Sequence, residues 1–130
     1  MSYKNPIVEL PKPYEDARGV ITNLFTDGMQ SGALISSKAG TRRADHYHRT
    51  GNHLCILLSG KLVYKWRPVG SKTAPDAVTI LPGMAFFSPP QVEHSMKFIE
   101  DSVFLAFDSE VTRNHDGYEA DTVHLNEPLK

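Results

Sequence analysis

The sequence has few features of a membrane, secreted or nucleic-acid-binding protein. Its longest apolar runs, such as residues 54–58, are far shorter than the roughly 18 to 20 residues that cross a bilayer. The first residues lack the apolar stretch of about 7 to 15 residues that a signal peptide contains, so we expect a cytoplasmic protein. The formal net charge is only -1, and we therefore expect no nucleic acid partner.

Cysteine is nearly absent as well. Cys55 is the single cysteine, so no intrachain disulfide can form, which agrees with a reducing compartment. We interpret Cys55 as a small buried residue in a strand. A chain of 130 residues predicts one domain, residues 1–130, with a proline-rich N-terminal arm over residues 1–13 that packs on a second subunit and a polar tail over residues 109–130.

Short apolar runs between glycine and proline turns predict an all-β fold. No window of a dozen residues has a sustained helical period, whereas eight runs have the length and composition of strands. Such strands with tight turns are typical of a sandwich, a jelly roll or a small barrel. The predicted strands are residues 20–25, 33–36, 54–58, 62–67, 78–81, 85–88, 94–98 and 103–107.

Four of the six histidines have the spacing of a shared site. His46 and His48 point to one face of an extended strand, about 7 Å apart, given a rise of about 3.3 Å per residue. By the same alternation His53 shares its face with Cys55 and Leu57, and His94 with Met96 and Phe98. Imidazole nitrogens suit Zn, Fe, Ni, Cu and Mn, so we predict one divalent transition metal. The predicted ligands are His46, His48, His53 and His94.

The other two histidines have no such pattern. His115 and His124 lie in the polar tail, and we interpret both as ordinary core or surface residues. The nearby segment 116–121 could cover the mouth of a barrel, although its polarity equally suits a solvated terminus.

Two spacings resemble the conserved motifs of the cupin family. Gly40-x5-His46-x-His48-x4-His53-x6-Gly60 is similar to the first motif, and Gly83-x5-Pro89-x-Gln91-x2-His94 to the second. The resemblance implies a single-domain jelly-roll barrel of two packed antiparallel sheets, with its pocket at the barrel mouth. Metal-binding cupins usually have Glu at the position of His53, Gly at Gln91 and Asn at Phe98.

A narrower resemblance concerns RmlC-like cupins that act on nucleotide-linked keto-sugars. Its motifs are Asp16-Ala-Arg18-Gly19, Arg43-x-x-His46-x-His48 and Val92-x-His94-x-Met96-x-Phe98. These sugar enzymes are the 3,4-ketoisomerases and 3,5-epimerases, and the resemblance implies that they work without a metal.

Such isomerases move a proton next to a ketone and need a base, an acid and a group that holds the oxyanion. By position, His48 or His46 would be the base, and Tyr64 or Tyr47 the acid. Arg43 and Lys65 would hold the diphosphate, and Arg42 is a further candidate because guanidinium suits phosphate. A histidine that ligates a metal through a ring nitrogen cannot take a proton there, so the two roles compete.

Three functions therefore remain open at this point. The chain could be a metal-binding cupin with isomerase or epimerase chemistry on a nucleotide-linked keto-sugar. It could instead be a metal-dependent dioxygenase or lyase that acts on a small organic acid. The third is a cupin that binds a ligand without turnover. In each case we expect a homodimer, because sheet edges need cover and a second subunit supplies it.

Overall fold

A computed structural model of the chain describes residues 4–110 and 121–130. Twelve strands form within these ranges. They are β1 (Ile7–Val8), β2 (Tyr14–Asp16), β3 (Gly19–Ile21), β4 (Ser31–Ser37), β5 (Arg42–His48), β6 (His53–Ser59), β7 (Leu62–Pro68), β8 (Asp76–Ile80), β9 (Ala85–Ser88), β10 (Val92–Phe98), β11 (Ser102–Asp108) and β12 (Thr122–His124).

Ten of these strands form two five-stranded antiparallel sheets. The first sheet has the order β1-β9-β6-β11-β4, and the second has the order β12-β5-β10-β7-β8. Strands β2 and β3 form a separate hairpin. The predicted all-β fold with two antiparallel sheets is confirmed. The residues that the structure describes include no helix that could span a membrane.

The main hydrophobic core lies between the two sheets. Because side chains alternate along a strand, every second residue of β6, β7 and β10 points inward. Cys55 and Leu57 face this core from β6, and Met96 and Phe98 face it from β10, as predicted. A second apolar cluster, which includes Leu54, Ala85 and Phe87, covers the opposite face of the first sheet.

Most predicted strands occur within a few residues of their expected bounds, but the first is wrong in extent. Strand β3 ends at Ile21, and residues 22–25 are not in a strand. The register pairs Ile21 with Tyr14, so a longer strand would need Pro13 as a partner. Proline has no N–H to donate to the ladder, which explains the early end.

The predicted N-terminal arm is described from Lys4 onward. Its Ile7 and Val8 pair with β9 of the same chain, opposite Phe86 and Ala85. Contact of the arm with a second subunit stays a prediction. In the predicted tail, His115 and segment 116–120 lie outside the described residues.

A β-bulge in β5 decides which of its side chains point inward. Ala44 and Asp45 have φ values of 67° and 56°, in the left-handed region, and the register with β10 shifts there. His46 pairs with His94, whereas Arg43 pairs with Met96. Strict alternation from His46 would turn Arg43 outward, so the extra residue of the bulge places Arg43 on the inner face.

Candidate functional site

A cavity of about 430 Å³ lies between the two sheets, at the end of the barrel where the histidines converge. This volume is typical of small-molecule sites. Its wall combines aromatic and aliphatic side chains with polar ones. Among the polar residues, His48 and His94 are buried inside the cavity, whereas Arg43 and His124 are exposed at its opening. The polar lining residues are Arg42, Arg43, His46, His48, His53, Tyr64, Ser88, His94, Thr122 and His124.

Three of the four predicted metal ligands form one cluster. His46, His48 and His94 each offer a ligand atom, and these atoms lie within 4.8 Å of one another. The ring centroid of His46 is 4.7 Å from both other rings. Neutral imidazoles are common ligands of divalent transition metals, so this donor set fits such an ion.

His48 lies at the centre of the cluster and is 1% exposed. Its Nδ1 is 3.2 Å from the hydroxyl of Thr122. Its Nε2 is buried and has no hydrogen-bond partner among the described residues. Burial first, and neighbouring imidazoles second, hold the pKa of His48 far below its usual value. His48 is therefore a neutral imidazole with one ring nitrogen available.

His94 is fixed by its own strand. Its Nδ1 lies 3.0 Å from the Val92 carbonyl oxygen and 3.0 Å from Ser88 Oγ. A carbonyl oxygen only accepts, so Nδ1 carries the hydrogen and the lone pair of the neutral ring is on Nε2. Burial lowers the pKa of His94 to about 4, although the hydrogen bond to Val92 opposes this shift.

His53, the fourth predicted ligand, lies beside the cluster. Its ring stacks on His48 with centroids 3.7 Å apart. Its Nε2 is 3.1 Å from Asp108 Oδ1. This contact depends on the pairing of β6 with β11, so it could not be predicted from local sequence. The cluster within 4.8 Å comprises His46, His48 and His94 without His53. The role of His53 as a ligand stays a prediction.

The two candidate acids occupy opposite faces of the second sheet. Tyr64 is buried and lines the cavity, with its ring centroid 6.0 Å from that of His94. Burial raises the pKa of Tyr64 well above its usual value, and a hydrogen bond with Ser88 only partly offsets that effect. Tyr47 alternates with the inward His46 and His48 and does not line the cavity. Of the two, Tyr64 lines the cavity and Tyr47 does not.

The basic residues that are candidates for diphosphate binding also differ in position. Arg43 lines the cavity, donates from Nε to Ser37 Oγ (2.6 Å), and donates from Nη2 to the Ser36 carbonyl (2.9 Å). Arg42 also lines the cavity, but its Nη2 is 2.8 Å from Asp45, which raises the pKa of the guanidinium. Lys65 alternates with the inward Tyr64 and Trp66, and it does not line the cavity. Lys65 is therefore away from the site that it was predicted to share with Arg43.

Strand β12 brings two unpredicted residues to the site. Thr122 pairs with His48 and His124 with His46. The ring centroids of His124 and His46 are 5.7 Å apart. The interpretation of His124 as an ordinary tail residue is thus incomplete, because it lines the cavity. The inward alternation of Thr122 and His124 was the available signal, but three residues are too few to predict a strand.

The chain is similar in structure to several solved proteins. QdtA 3,4-ketoisomerase from Thermoanaerobacterium thermosaccharolyticum, a double mutant in complex with TDP, has 20% identity and a TM-score of 0.71, covering 96% of this chain and 90% of that chain. The dTDP-4-dehydrorhamnose 3,5-epimerase from Sulfolobus tokodaii has 22% identity and a TM-score of 0.61, covering 78% of this chain and 68% of that chain.

A third similar structure is the capsular polysaccharide assembling protein CapF from Staphylococcus aureus. It has 21% identity and a TM-score of 0.66, covering 94% of this chain but only 35% of that chain. No protein-family model and no curated protein matches the chain. At these identities the structural similarity establishes the fold. The chain therefore has the cupin jelly-roll fold that its two histidine motifs predict.

Proposed function

We propose that the protein is an isomerase or epimerase that moves a proton next to the carbonyl of a nucleotide-linked keto-sugar. The observation that supports this function best is the meeting of neutral imidazoles, a buried phenol and an arginine around one cavity. Similar structures are a ketoisomerase with TDP and a 3,5-epimerase, which makes this substrate class the first to test.

His48 is the proposed base. A hydrogen on the carbon next to a ketone is removed as a proton by a group with a free lone pair. The Nε2 atom of His48 has no hydrogen-bond partner among the described residues, and its ring lines the cavity, so a lone pair on Nε2 can face a bound substrate. The same nitrogen would return the proton to the neighbouring carbon in a 3,4-ketoisomerisation. An epimerisation would need a second proton donor on the opposite face of the same carbon.

Tyr64 is the proposed acid for the substrate oxygen. As the base removes the carbon-bound proton, negative charge develops on the carbonyl oxygen, and a donor there lowers the barrier. Tyr64 remains protonated because burial raises its pKa, so it can donate. Its proton would move to the oxygen to give a neutral enediol, and the reverse transfer from the other hydroxyl would yield the new ketone. Atoms and charge balance over the cycle.

Arg43 is the proposed diphosphate ligand. Its Nε and Nη2 each donate one hydrogen bond to Ser37 or Ser36, which leaves several of the five guanidinium N–H groups for a ligand. Its exposed position at the opening suits a charged nucleotide that remains partly outside the cavity. Arg42 is bound to Asp45 and to the Leu129 carbonyl, so it has fewer donors to offer.

Solvent exchange tests this function directly. We expect incubation with TDP-4-keto-6-deoxyglucose in D2O to incorporate deuterium at the carbon next to the ketone, measured by proton NMR. Tyr64→Phe should slow the exchange, and Tyr47→Phe is the matched variant on the opposite face. No exchange with TDP-linked 4-keto- or 3-keto-sugars would overturn the proposal, and slowing by Tyr47→Phe alone would overturn the role of Tyr64.

A metal-dependent reaction is the second candidate, and the convergence of three histidines supports it. A bound Zn, Fe, Ni, Mn or Cu ion would be held by His46, His48 and His94, and it would polarise a carbonyl or open oxygen chemistry on a small organic acid. Metal content by mass spectrometry, together with an oxygen electrode, separates this dioxygenase or lyase from the isomerase.

The number of ligands can be measured in the same experiment. If three histidines bind the ion, His94→Gln should lose the metal and His53→Gln should retain it. Loss in both variants would instead support the four-histidine set predicted from the sequence.

We also propose a homodimer. Val20 and Ile21 in the β2–β3 hairpin are 57% and 59% exposed, and Leu34 on the outer face of the first sheet is 67% exposed. Exposed large apolar side chains at such positions favour contact with a second subunit. Light scattering after gel filtration should give twice the chain mass of 14.5 kDa, and Ile21→Asp should shift it toward the monomer. A wild-type mass of one chain would contradict the dimer.

A further inference from the structure

We propose that Thr122 is a positioning residue for His48, whose hydroxyl accepts a hydrogen bond from Nδ1–H and thereby keeps the lone pair on Nε2. The inference deepens the proposed proton transfer and rests on it for its effect on catalysis. The tautomer of His48 does not depend on the proposed function. In either candidate function a neutral His48 acts through Nε2 only when Nδ1 carries the hydrogen.

The first argument is the geometry of the pair. Thr122 and His48 are direct partners between β12 and β5, so their side chains lie on the same face of the second sheet. The hydroxyl oxygen is 3.2 Å from Nδ1, which is within hydrogen-bond range. At the other side of the ring, Nε2 is buried and has no partner among the described residues. The Thr122 hydroxyl can donate or accept at Nδ1, but a hydrogen on Nε2 would be a buried N–H donor without a partner. This arrangement favours the tautomer in which Nδ1–H donates to Thr122.

The second argument is that His94 has the corresponding arrangement. Its Nδ1 is held by the Val92 carbonyl, which forces the hydrogen onto Nδ1. Imidazoles with roles in catalysis or metal binding are commonly oriented by an acceptor on the nitrogen that does not react. His94 and His48 would then both carry the hydrogen on Nδ1. The acceptor is the Val92 carbonyl oxygen for His94 and the Thr122 hydroxyl for His48.

The third argument is that the chain fixes β12 at both ends. On one side the Asp121 carboxylate accepts hydrogen bonds from the main-chain N–H groups of Thr50 and Gly51. On the other side the buried Leu129 donates its main-chain N–H to Asp45, and Ser95 donates its hydroxyl to the Leu129 carbonyl. A strand of three residues that is anchored in this way can hold a hydroxyl at a fixed position.

The experiment compares Thr122→Val with Thr122→Ser in the full chain. Valine keeps the branched shape and removes the oxygen, whereas serine keeps the oxygen. Thr79→Val is the matched control, because Thr79 is an exposed strand residue away from the cavity. The readout is the pair of ring nitrogen shifts of His48 in long-range proton–nitrogen NMR, assigned by their loss in His48→Asn.

We expect wild type, Thr122→Ser and Thr79→Val to have a protonated Nδ1, and Thr122→Val to have a mixed or reversed tautomer. A protonated Nε2 in wild type, or unchanged His48 shifts in Thr122→Val, would overturn the inference. If Thr122→Val does not fold, loss of the Nδ1–H signature in Thr122→Ala provides the same test.

Turnover gives a second, separable readout. With an active isomerase we expect Thr122→Val to lower kcat by about 10- to 100-fold, with KM within about twofold and recovery in Thr122→Ser. A tautomer change in a chain without isomerase activity would uphold the positioning of His48 and reject the proposed function. Turnover that is unchanged in Thr122→Val would reject the positioning role and uphold the function.

Discussion

The two ends of the barrel interior are built by the same strands but differ in chemistry. Along β6 the inward residues change from His53 to Leu57, and along β10 they change from His94 to Phe98. The polar end contains the cavity and its imidazoles. The opposite, apolar end is closed by side chains that are 0% exposed, namely Leu57, Leu62, Ile80 and Phe98.

This difference separates stability from function within one core. Fully buried apolar side chains at the closed end contribute free energy by leaving water and by close packing. Imidazoles at the open end contribute less, because burial of a polar ring has a cost that only hydrogen bonds offset. Substitutions at the closed end should therefore lower stability more than activity, and substitutions at the open end should lower activity more than stability.

The largest expected effect is on turnover at the open end. His48→Asn removes the proposed base, so we expect kcat to fall by about 100- to 10,000-fold. Its free energy of unfolding, measured by urea denaturation, should change less than that of a variant at the closed end. A variant that keeps wild-type turnover would contradict the role of His48, and a large loss of stability would contradict the separation of the two ends.

The matching change at the closed end is Phe98→Ala. Truncation of a fully buried phenylalanine removes apolar contacts and leaves a cavity, so we expect a loss of about 3 to 5 kcal/mol in the free energy of unfolding. Ile99→Ala is the control, because the side chain of Ile99, next to Phe98 in the sequence, is 47% exposed. This substitution should lower the free energy of unfolding by less than about 1 kcal/mol. Equal losses in the two variants would show that the closed end is not a packed core.

A smaller effect is expected at the opening of the cavity. Arg43→Ala should weaken TDP binding by about 10- to 100-fold in calorimetry, because a charge-assisted hydrogen bond contributes roughly 1.5 to 3 kcal/mol. Lys65→Ala is the control from the outer face of the same sheet. Unchanged affinity in Arg43→Ala would exclude Arg43 from the site, and an equal loss in Lys65→Ala would indicate a diffuse charge effect.

Much of the open end followed from the sequence because a strand fixes the direction of alternate side chains. Once residues 54–58 and 94–98 were identified as strands, alternation was enough to place Cys55 and Leu57 on one face and Met96 and Phe98 on one face. The structure shows that both faces point into the core. The shared face of His46 and His48 followed in the same way. The jelly roll itself was predicted from the two motif spacings, which relate turns to strands over half of the chain.

Other features depended on pairings that the sequence does not encode locally. The bulge at Ala44 and Asp45 lacks a glycine, the usual signal for left-handed backbone, so the inward turn of Arg43 could not be derived from alternation. The contact of His53 with Asp108 depends on the register of β6 and β11. The addition of β12 to β5 pairs distant parts of the chain, and Thr122 and His48 are 74 positions apart.

The smallest expected effect tests whether the late strand β12 contributes to the open end beyond Thr122. His124 is exposed at the cavity opening beside His46, so its ring can contact a ligand without supporting the core. One neutral hydrogen bond contributes about 0.5 to 1.5 kcal/mol, so His124→Ala should raise KM by about 2- to 10-fold with kcat and unfolding unchanged. Asn126→Ala, an exposed residue just beyond the strand, is the control. An unchanged KM in His124→Ala would confine the contribution of β12 to the positioning of His48. A rise in KM in His124→Ala but not in Asn126→Ala would show that β12, the edge strand of the second sheet, also contributes to substrate binding.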